Sequence, residues 1–314
     1  MIKEKDIFHN FFEMLKNPFI FLSQWRSLPV YELVSYILMF SSIPLLSHGM
    51  GCYDLNDVLT IIFTVLSLYS GFFAALIWND ITDADIDAIV HPDRPIPSLK
   101  ISSKNFFLIA LFFSGLTFLF SFLVNLYFFI GVLILAIFVA IHNKYLKRFI
   151  SLPAYSEIVT PFQWCMVPVL GFLSFQRINL MVTLLFVLFT YFSVSSHDIL
   201  QGIHDYKGDE KKGVQTYCSS FGVSKAIMVS LLWLIISGIF GIVIYIFTVL
   251  DIIFLVLFIL IWIYTFLKYI PLFHLETKYI EEKSILTSRI GYNYFLFFYD
   301  IVFFDIILQL IFFN

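Results

Sequence analysis

Charge is what this chain most lacks. Asp, Glu, Lys and Arg make up 13% of its 314 residues, about half the share found in a soluble domain. The net charge of −3 leaves no basic excess of the kind that nucleic-acid binders carry, so no nucleic-acid partner is expected. Cysteine is also scarce. Cys52, Cys165 and Cys218 form no CxxC pair and no zinc spacing, which excludes a disulfide scaffold and leaves them to pack as small apolar residues. With 13 Gly and 10 Pro, the chain does not have the composition of a disordered or low-complexity one. What it has in abundance is apolar surface. Hydrophobic residues are 60% of the total, 40 residues are Phe, and the mean hydropathy is +0.92. A water-soluble fold of this length cannot hide so much, so the solvent is lipid.

A spanning helix needs about 20 mostly apolar residues. Nine segments qualify: Leu28–Ser47, Val58–Trp78, Asn105–Phe122, Val124–His142, Pro153–Phe175, Leu180–Ser196, Ala226–Phe247, Ile252–Pro271 and Tyr292–Phe313. They predict an all-α, polytopic bundle of about nine transmembrane helices, forming a single domain over residues 1–314. No small-residue cleavage site follows the first apolar run, so no cleavable signal is expected. Lys and Arg then test the count. With these spans, 18 of the 19 basic residues fall on one side, and Arg177 alone on the other. The positive-inside rule makes the basic side cytoplasmic, with the N-terminus inside. Residues 1–25 are expected to hold an interfacial helix, because Asp6–Leu22 mixes Phe8, Phe11, Phe12, Leu15 and Phe19 with Lys5, Glu13 and Lys16.

The scarce charges gather in two cytoplasmic stretches. The first reads Trp78-Asn79-Asp80-Ile81-Thr82-Asp83-Ala84-Asp85-Ile86-Asp87. At about 100° per residue, Asp80, Asp83 and Asp87 fall within roughly 60° on one helix face, and Asp85 points away. The second runs from His197-Asp198 through His204-Asp205 to Gly208-Asp209, and Asp198, Asp205 and Asp209 fall within about 40° of one another. A lone carboxylate in lipid costs roughly 2.5–3.5 kcal/mol, so these six face a polar cavity or the interface. Like charges on one face call for a cation between them. Clustered oxygens with no His or Cys at ligand spacing suit Mg²⁺, which completes its coordination with waters and substrate phosphates. The loop His91-Pro92-Asp93-Arg94-Pro95-Ile96-Pro97-Ser98 has a backbone fixed by its prolines, which would hold Arg94 over the carboxylates in a geometry suited to phosphate. Lys144, Lys147 and Arg148 are either further anion contacts or positive-inside residues only.

These stretches carry a resemblance. NDITDADID resembles the NDxxDxxxD motif of the UbiA superfamily of intramembrane prenyltransferases. HPDRPIPS resembles the RPIPSG segment of its branch containing digeranylgeranylglyceryl phosphate synthases and chlorophyll synthases, and DYKGDEKKGVQT resembles the D-x-x-G-D-x-x-x-G-x-x-T region. The resemblance implies a helical bundle around a central apolar channel for the prenyl tail. It implies Mg²⁺ bridging both Asp motifs and the diphosphate of a polyprenyl diphosphate, ionisation of the allylic C–O bond, and alkylation of a lipid-soluble or amphipathic acceptor. Position by position, it makes Asp80, Asp83, Asp87, Asp205 and Asp209 the metal-binding and catalytic residues. Asn79, Arg94, Lys147, Arg26 and Asp198 become the substrate-binding ones. A prokaryotic cell inner membrane is the expected location.

The chain also departs from that pattern. The branch commonly reads R-[DE]-x-x-K-D-x-x-D where this chain has His197-Asp198-Ile199-Leu200-Gln201-Gly202-Ile203-His204-Asp205, so Lys is replaced by Gln201 and Asp by Gly202. Losing that carboxylate is expected to weaken or reshape the second site. Tyr-Ser is replaced by His142-Asn143, and the Gly after RPIPS by Leu99. Besides prenyl transfer, these departures keep open a membrane terpene cyclase, which needs no acceptor. A carrier using intramembrane carboxylates and a non-catalytic relative are the remaining readings. His142, His197 and His204 are candidates for acid-base steps.

Overall fold

The computed structural model describes residues 28–274 and 277–313; the expected interfacial helix and Arg26 lie outside them. The helices are α1 Val30–His48, α2 Leu55–Thr82, α3 Ala84–Val90, α4 Ser103–Val124, α5 Leu126–Ile141, α6 Tyr155–Val159, α7 Pro161–Ser174, α8 Leu180–Lys211, α9 Tyr217–Phe221, α10 Val223–Phe247, α11 Ile252–Tyr269 and α12 Thr277–Phe313. Among the described residues, nine segments are long and apolar enough to cross a membrane, as the sequence predicts.

Helix ends at a membrane must satisfy their own backbone groups, and short polar side chains do so here. Asp54 and Asp57 form a capping box at the start of α2. Asn125 closes the tight α4–α5 turn: its Oδ1 accepts from Phe128 N at 2.9 Å, while its Nδ2 donates to the carbonyls of Leu173 and Ser174 at 3.1 and 2.9 Å. One residue thus caps α5 and the end of α7 together. Ser102, Asn179 and Asp251 cap α4, α8 and α11.

Helix α8 lies at the centre, packed on α10 and α12, with α7 beside it; α12 also packs on α1 and α11, and α2 runs along α4. Lipid gives apolar helices no hydrophobic reason to associate, so close packing and interhelical hydrogen bonds must hold them. Ser196 Oγ donates to the Ser230 carbonyl at 2.8 Å, and Ser230 Oγ donates back to the Ser196 carbonyl at 2.6 Å, joining α8 to α10. Ser35 Oγ donates to Asp300 at 2.7 Å, joining α1 to α12. Glycines admit side chains from neighbouring helices: a Cβ on Gly171 would sit 2.5 Å from Ile43, and one on Gly241 would overlap the ring of Phe258.

Three helices run longer than the sequence reading allows. Helix α8 continues fifteen residues past Ser196 to Lys211, α2 reaches Thr82, and α12 begins at Thr277 rather than Tyr292. On α2 and α8 the polar residues that ended the apolar runs do not end the helices, because Asp80, Asp205 and Asp209 face protein, whereas the added turns of α12 carry Glu281, Glu282 and Lys283 on an exposed face. The fourth span also continues past His142, through a π-helical turn over His142–Leu146 and one further helical turn, Lys147–Phe149. Cys165 and Cys218 are buried as expected; Cys52 is exposed.

Gly171→Ala should destabilise the protein in detergent by about 1–3 kcal/mol, the cost of overpacking against a β-branched neighbour. Gly115→Ala, where a Cβ meets nothing within 4 Å, should not lower the melting temperature. Thermal unfolding followed by intrinsic fluorescence measures both.

Candidate active site

The first acidic stretch spans a break. Helix α2 ends at Thr82, Asp83 adopts φ −100° and ψ 9°, and α3 restarts at Ala84. The Asp87 N–H still donates to the Asp83 carbonyl at 2.8 Å, so the helical register survives and the expected face is kept. Asp80, Asp83 and Asp87 are all buried, at 1, 4 and 3% exposure. Asp85 points away, as expected, but it is paired: Arg148 lies at 2.6 Å and Lys212 at 3.2 Å. Despite the cost of burial, these two cations hold the Asp85 carboxyl below the usual carboxylate range.

Buried carboxylates need partners, and the proline-rich loop supplies one. Arg94 Nη1 lies 2.5 Å from Asp87 and 3.9 Å from Asp80. The loop is held by Ser98, whose Oγ donates to the Arg94 carbonyl at 2.6 Å. Burial pushes the Asp87 carboxyl above its usual range, with Arg94 opposing. For Arg94, burial favours loss of the proton, but the contact with Asp87 outweighs it and the guanidinium is held more firmly charged. The π-helical turn at the end of α5 leads into Lys147, whose Nζ donates to Asp83 Oδ2 at 2.9 Å. Lys147 and Arg148 are therefore counter-charges of this cluster and not merely positive-inside residues. Lys144 stands apart, over the Tyr145 ring.

The second stretch arrives from α8. Gly208 is what allows the approach: a Cβ there would lie 2.3 Å from Val90 on α3. That contact sets Asp209 beside the first cluster. Burial drives the Asp209 carboxyl up to about 7; Lys147 opposes the shift, and Asp205, Asp83 and Asp87 add to it. Asp205 accepts from His204 Nδ1 at 2.9 Å and lies 3.2 Å from His91 Nε2. Asp198 pairs with His197 Nδ1 at 3.2 Å. Asn79, Asp83, Asp87, Arg94, Lys147, Asp198, Asp205 and Asp209 all line one polar cavity of about 190 Å³.

Asn79, Lys147 and Thr160 also line a second, larger cavity of about 650 Å³. Its walls are apolar and aromatic, among them Phe40, Phe72, Phe107, Phe118, Trp78 and Trp164. A charged chamber at the end of the bundle thus adjoins a greasy one between the helices. The donor set fits a hard divalent cation. Asp83 Oδ1 and Asp87 Oδ2 are buried and have no hydrogen-bond partner among the described residues, so each has oxygen lone pairs to give.

Sequence reasoning missed two groups. It found no His at ligand spacing, yet His91 and His204, 113 positions apart in the chain, stack at 5.6 Å and lie with Asp205 so that one ligand atom from each falls within 4.8 Å of the others. It also missed Glu157 on α6, which is buried and lines the polar cavity. No linear motif flags either; only the folding of α6 and the proline loop over α8 brings them in. Of the candidate acid-base residues, His142 lies 3.4 Å from Thr160 Oγ1, and His197 packs edge-on against Tyr292.

Residues 45–286 match the UbiA prenyltransferase family. The chain belongs to that family. It is 32% identical over 165 residues to the digeranylgeranylglyceryl phosphate synthase of Saccharolobus solfataricus, covering 51% of this chain and 57% of that protein. Against the synthase of Methanococcoides burtonii the identity is 27%, covering 62% and 65%. The chain thus spans less than two thirds of the length of these curated relatives. The fold is shared more completely. A UbiA homolog from Aeropyrum pernix K1 in its apo form superposes with a TM-score of 0.70 at 17% identity, covering 90% of this chain and 99% of that one. A UbiA homolog from Archaeoglobus fulgidus bound to GPP and Mg²⁺ gives 0.53 at 16% identity, covering 84% and 97%. The UbiA fold is therefore that of this chain.

The raised Asp209 carboxyl has a consequence for stability. Between about pH 4, where an unfolded Asp ionises, and about 7, where the folded one does, the folded chain holds a proton the unfolded chain has lost. Stability therefore falls as pH rises through that window. In divalent-free buffer the melting temperature should drop across it, and Asp209→Asn should flatten the drop.

Proposed function

We propose that this chain transfers the prenyl group of a polyprenyl diphosphate to a lipid-soluble or amphipathic acceptor within the membrane. The observation that carries this reading is the junction of the two cavities. A polyprenyl diphosphate has a multiply charged head and a long hydrocarbon tail, and the 190 Å³ polar chamber shares Asn79, Lys147 and Thr160 with the 650 Å³ aromatic one. The family membership and the synthase relatives support it. Their name implies a glyceryl phosphate acceptor, and an amphipathic phospho-alcohol is the acceptor class we favour. Domain, orientation and site follow from the same reading: one domain over the whole chain, in a prokaryotic inner membrane, with the aspartate face in the cytoplasm.

In this reading Asp83 and Asp87 from the first stretch and Asp205 and Asp209 from α8 line the chamber and would hold Mg²⁺, with Asp80, which does not line it, buried 3.9 Å from Arg94. When bound, Mg²⁺ neutralises the diphosphate and makes it a better leaving group. Arg94 and Lys147 now neutralise Asp87 and Asp83. Both line the polar chamber and would reach diphosphate oxygens there, while a cation held by the carboxylates would supply the charge they now give Asp87 and Asp83. Asn79 stands at the junction, where the diphosphate meets the first isoprene unit, and Asp198 lies deeper on the same α8 face. Arg26 keeps a substrate-binding role by motif position alone. The C1–O bond of the donor breaks, its electron pair leaves with the diphosphate, and the allylic cation forms beside aromatic faces that attract positive charge. The acceptor nucleophile then bonds to C1 and gives up its proton. The departing diphosphate is a base beside C1 that can take it; His142, buried behind Thr160, lines neither cavity.

The test is Mg²⁺-dependent diphosphate release from geranyl, farnesyl and geranylgeranyl diphosphates by purified protein in detergent, with products read by mass spectrometry. Release should cease with EDTA and require a membrane-lipid extract as acceptor source. A cyclic hydrocarbon formed without acceptor would replace transfer by cyclisation. Asp83→Ala should lower turnover by about 10²-fold or more, the scale of losing a preorganised charge in a site, without loss of folded protein. Arg94→Ala should raise the apparent KM for the donor by roughly ten- to a hundredfold, as losing a charge-assisted hydrogen bond does.

A further inference from the structure

Gly202 lies in the middle of α8, a helix of 32 residues, where glycine is disfavoured. Backbone geometry does not call for it, because its φ is not among the positive values in this chain. Space does. A Cβ built on Gly202 would stand 2.6 Å from Glu157 Oε1. The Glu157 side chain comes from α6, which packs against α8, and is 4% exposed. It lines the polar cavity together with Asp198, Asp205 and Asp209. Position 202 is also the one where the resembling pattern carries Asp. The carboxylate missing from α8 has its counterpart arriving from another helix, and its oxygen ends where the side chain at 202 would begin.

We infer that Glu157 supplies to the cation site the carboxylate that Gly202 cannot, and that the two residues form a coupled pair. This rests on the metal-dependent reading above. The pairing is physically coherent. A side chain at 202 would have to push the Glu157 carboxylate aside, and a carboxylate there would also repel it, so the two positions are coupled.

Glu157 has a second task. Both its oxygens lie within reach of the Tyr217 N–H, at 3.1 and 3.2 Å, at the first residue of the short α9. One backbone N–H occupies only part of a carboxylate's acceptor capacity, which leaves lone pairs for the cavity. The two tasks separate experimentally. Glu157→Gln keeps the shape and an oxygen acceptor for Tyr217 while removing the charge.

The measurement is Mn²⁺ binding, followed by electron paramagnetic resonance on the full chain in detergent without Mg²⁺. Melting temperature and wild-type diphosphate release are recorded in parallel. Glu157→Gln should weaken Mn²⁺ binding by about ten- to a hundredfold, the scale of losing a supporting group at a metal site, with the melting temperature nearly unchanged. Glu157→Ala should be weak as well. The double variant Glu157→Ala with Gly202→Asp should recover Mn²⁺ affinity to within about threefold of wild type, since it returns the carboxylate on α8. Wild-type affinity in Glu157→Gln, or a double variant no better than Glu157→Ala, overturns the inference while leaving the proposed function standing. A wild-type protein that neither binds Mn²⁺ nor releases diphosphate overturns both.

Discussion

The structure turns on like charges held out of water. Asp80, Asp83 and Asp87 are each at most 4% exposed, at the edge of a medium that cannot solvate them. Such a cluster persists only if positive charge lies among the carboxylates. Arg94 and Lys147 supply it at Asp87 and Asp83, with Arg148 3.9 Å from Asp83. Every local oddity of that end of the bundle serves those positions: the helix break at Asp83, the three prolines around Arg94, the π-helical turn before Lys147, and Gly208 against Val90. Each sets the position of a cation or a carboxylate in surroundings where a misplaced charge is costly.

The rest of the bundle answers the opposite problem, the absence of a hydrophobic drive between helices in lipid. Serine pairs such as Ser196 and Ser230, the Ser35–Asp300 contact, and glycines that admit Ile43 or Phe258 supply directional or close-packed contacts instead. The aromatic cavity is left between helices that do not close on one another. Its position against the charged chamber lets one molecule with a charged head and an isoprenoid tail occupy both. The His91–His204–Asp205 trio adds a neutralising arrangement of its own, in which two imidazoles from distant parts of the chain converge on one carboxylate.

Much of this was legible without coordinates. The nine spans follow from run length alone, because a bilayer demands about 20 apolar residues and tolerates few charges. The faces of Asp80, Asp83, Asp87, Asp205 and Asp209 follow from helical periodicity, which survives even the break at Asp83 because the backbone hydrogen bond from Asp87 to Asp83 is kept. The ends of α2, α8 and α12 were not legible. Hydropathy reads a polar residue as leaving the membrane, whereas Asp205 or Asp209 on α8 is turned toward a protein-lined cavity. The partners of the charges were not legible either. Asp85 reads only as pointing away from the shared face and is bound by Arg148 and Lys212; Lys147 reads as an anion contact or a positive-inside residue and is tied to Asp83.

The sequence by itself determined the solvent, the number of crossings, the family and which aspartates share a face. These depend on composition and on spacings of a few residues, which local geometry translates directly into position. Only the tertiary structure decided what stands opposite those aspartates. Glu157 meets Gly202 across 45 positions of chain, and His91 meets His204 across 113. No periodicity connects such pairs, because contact between separate helices is set by how the bundle packs. Read along the chain, Gly202 is a lost carboxylate; seen in the fold, it is the space that another carboxylate fills.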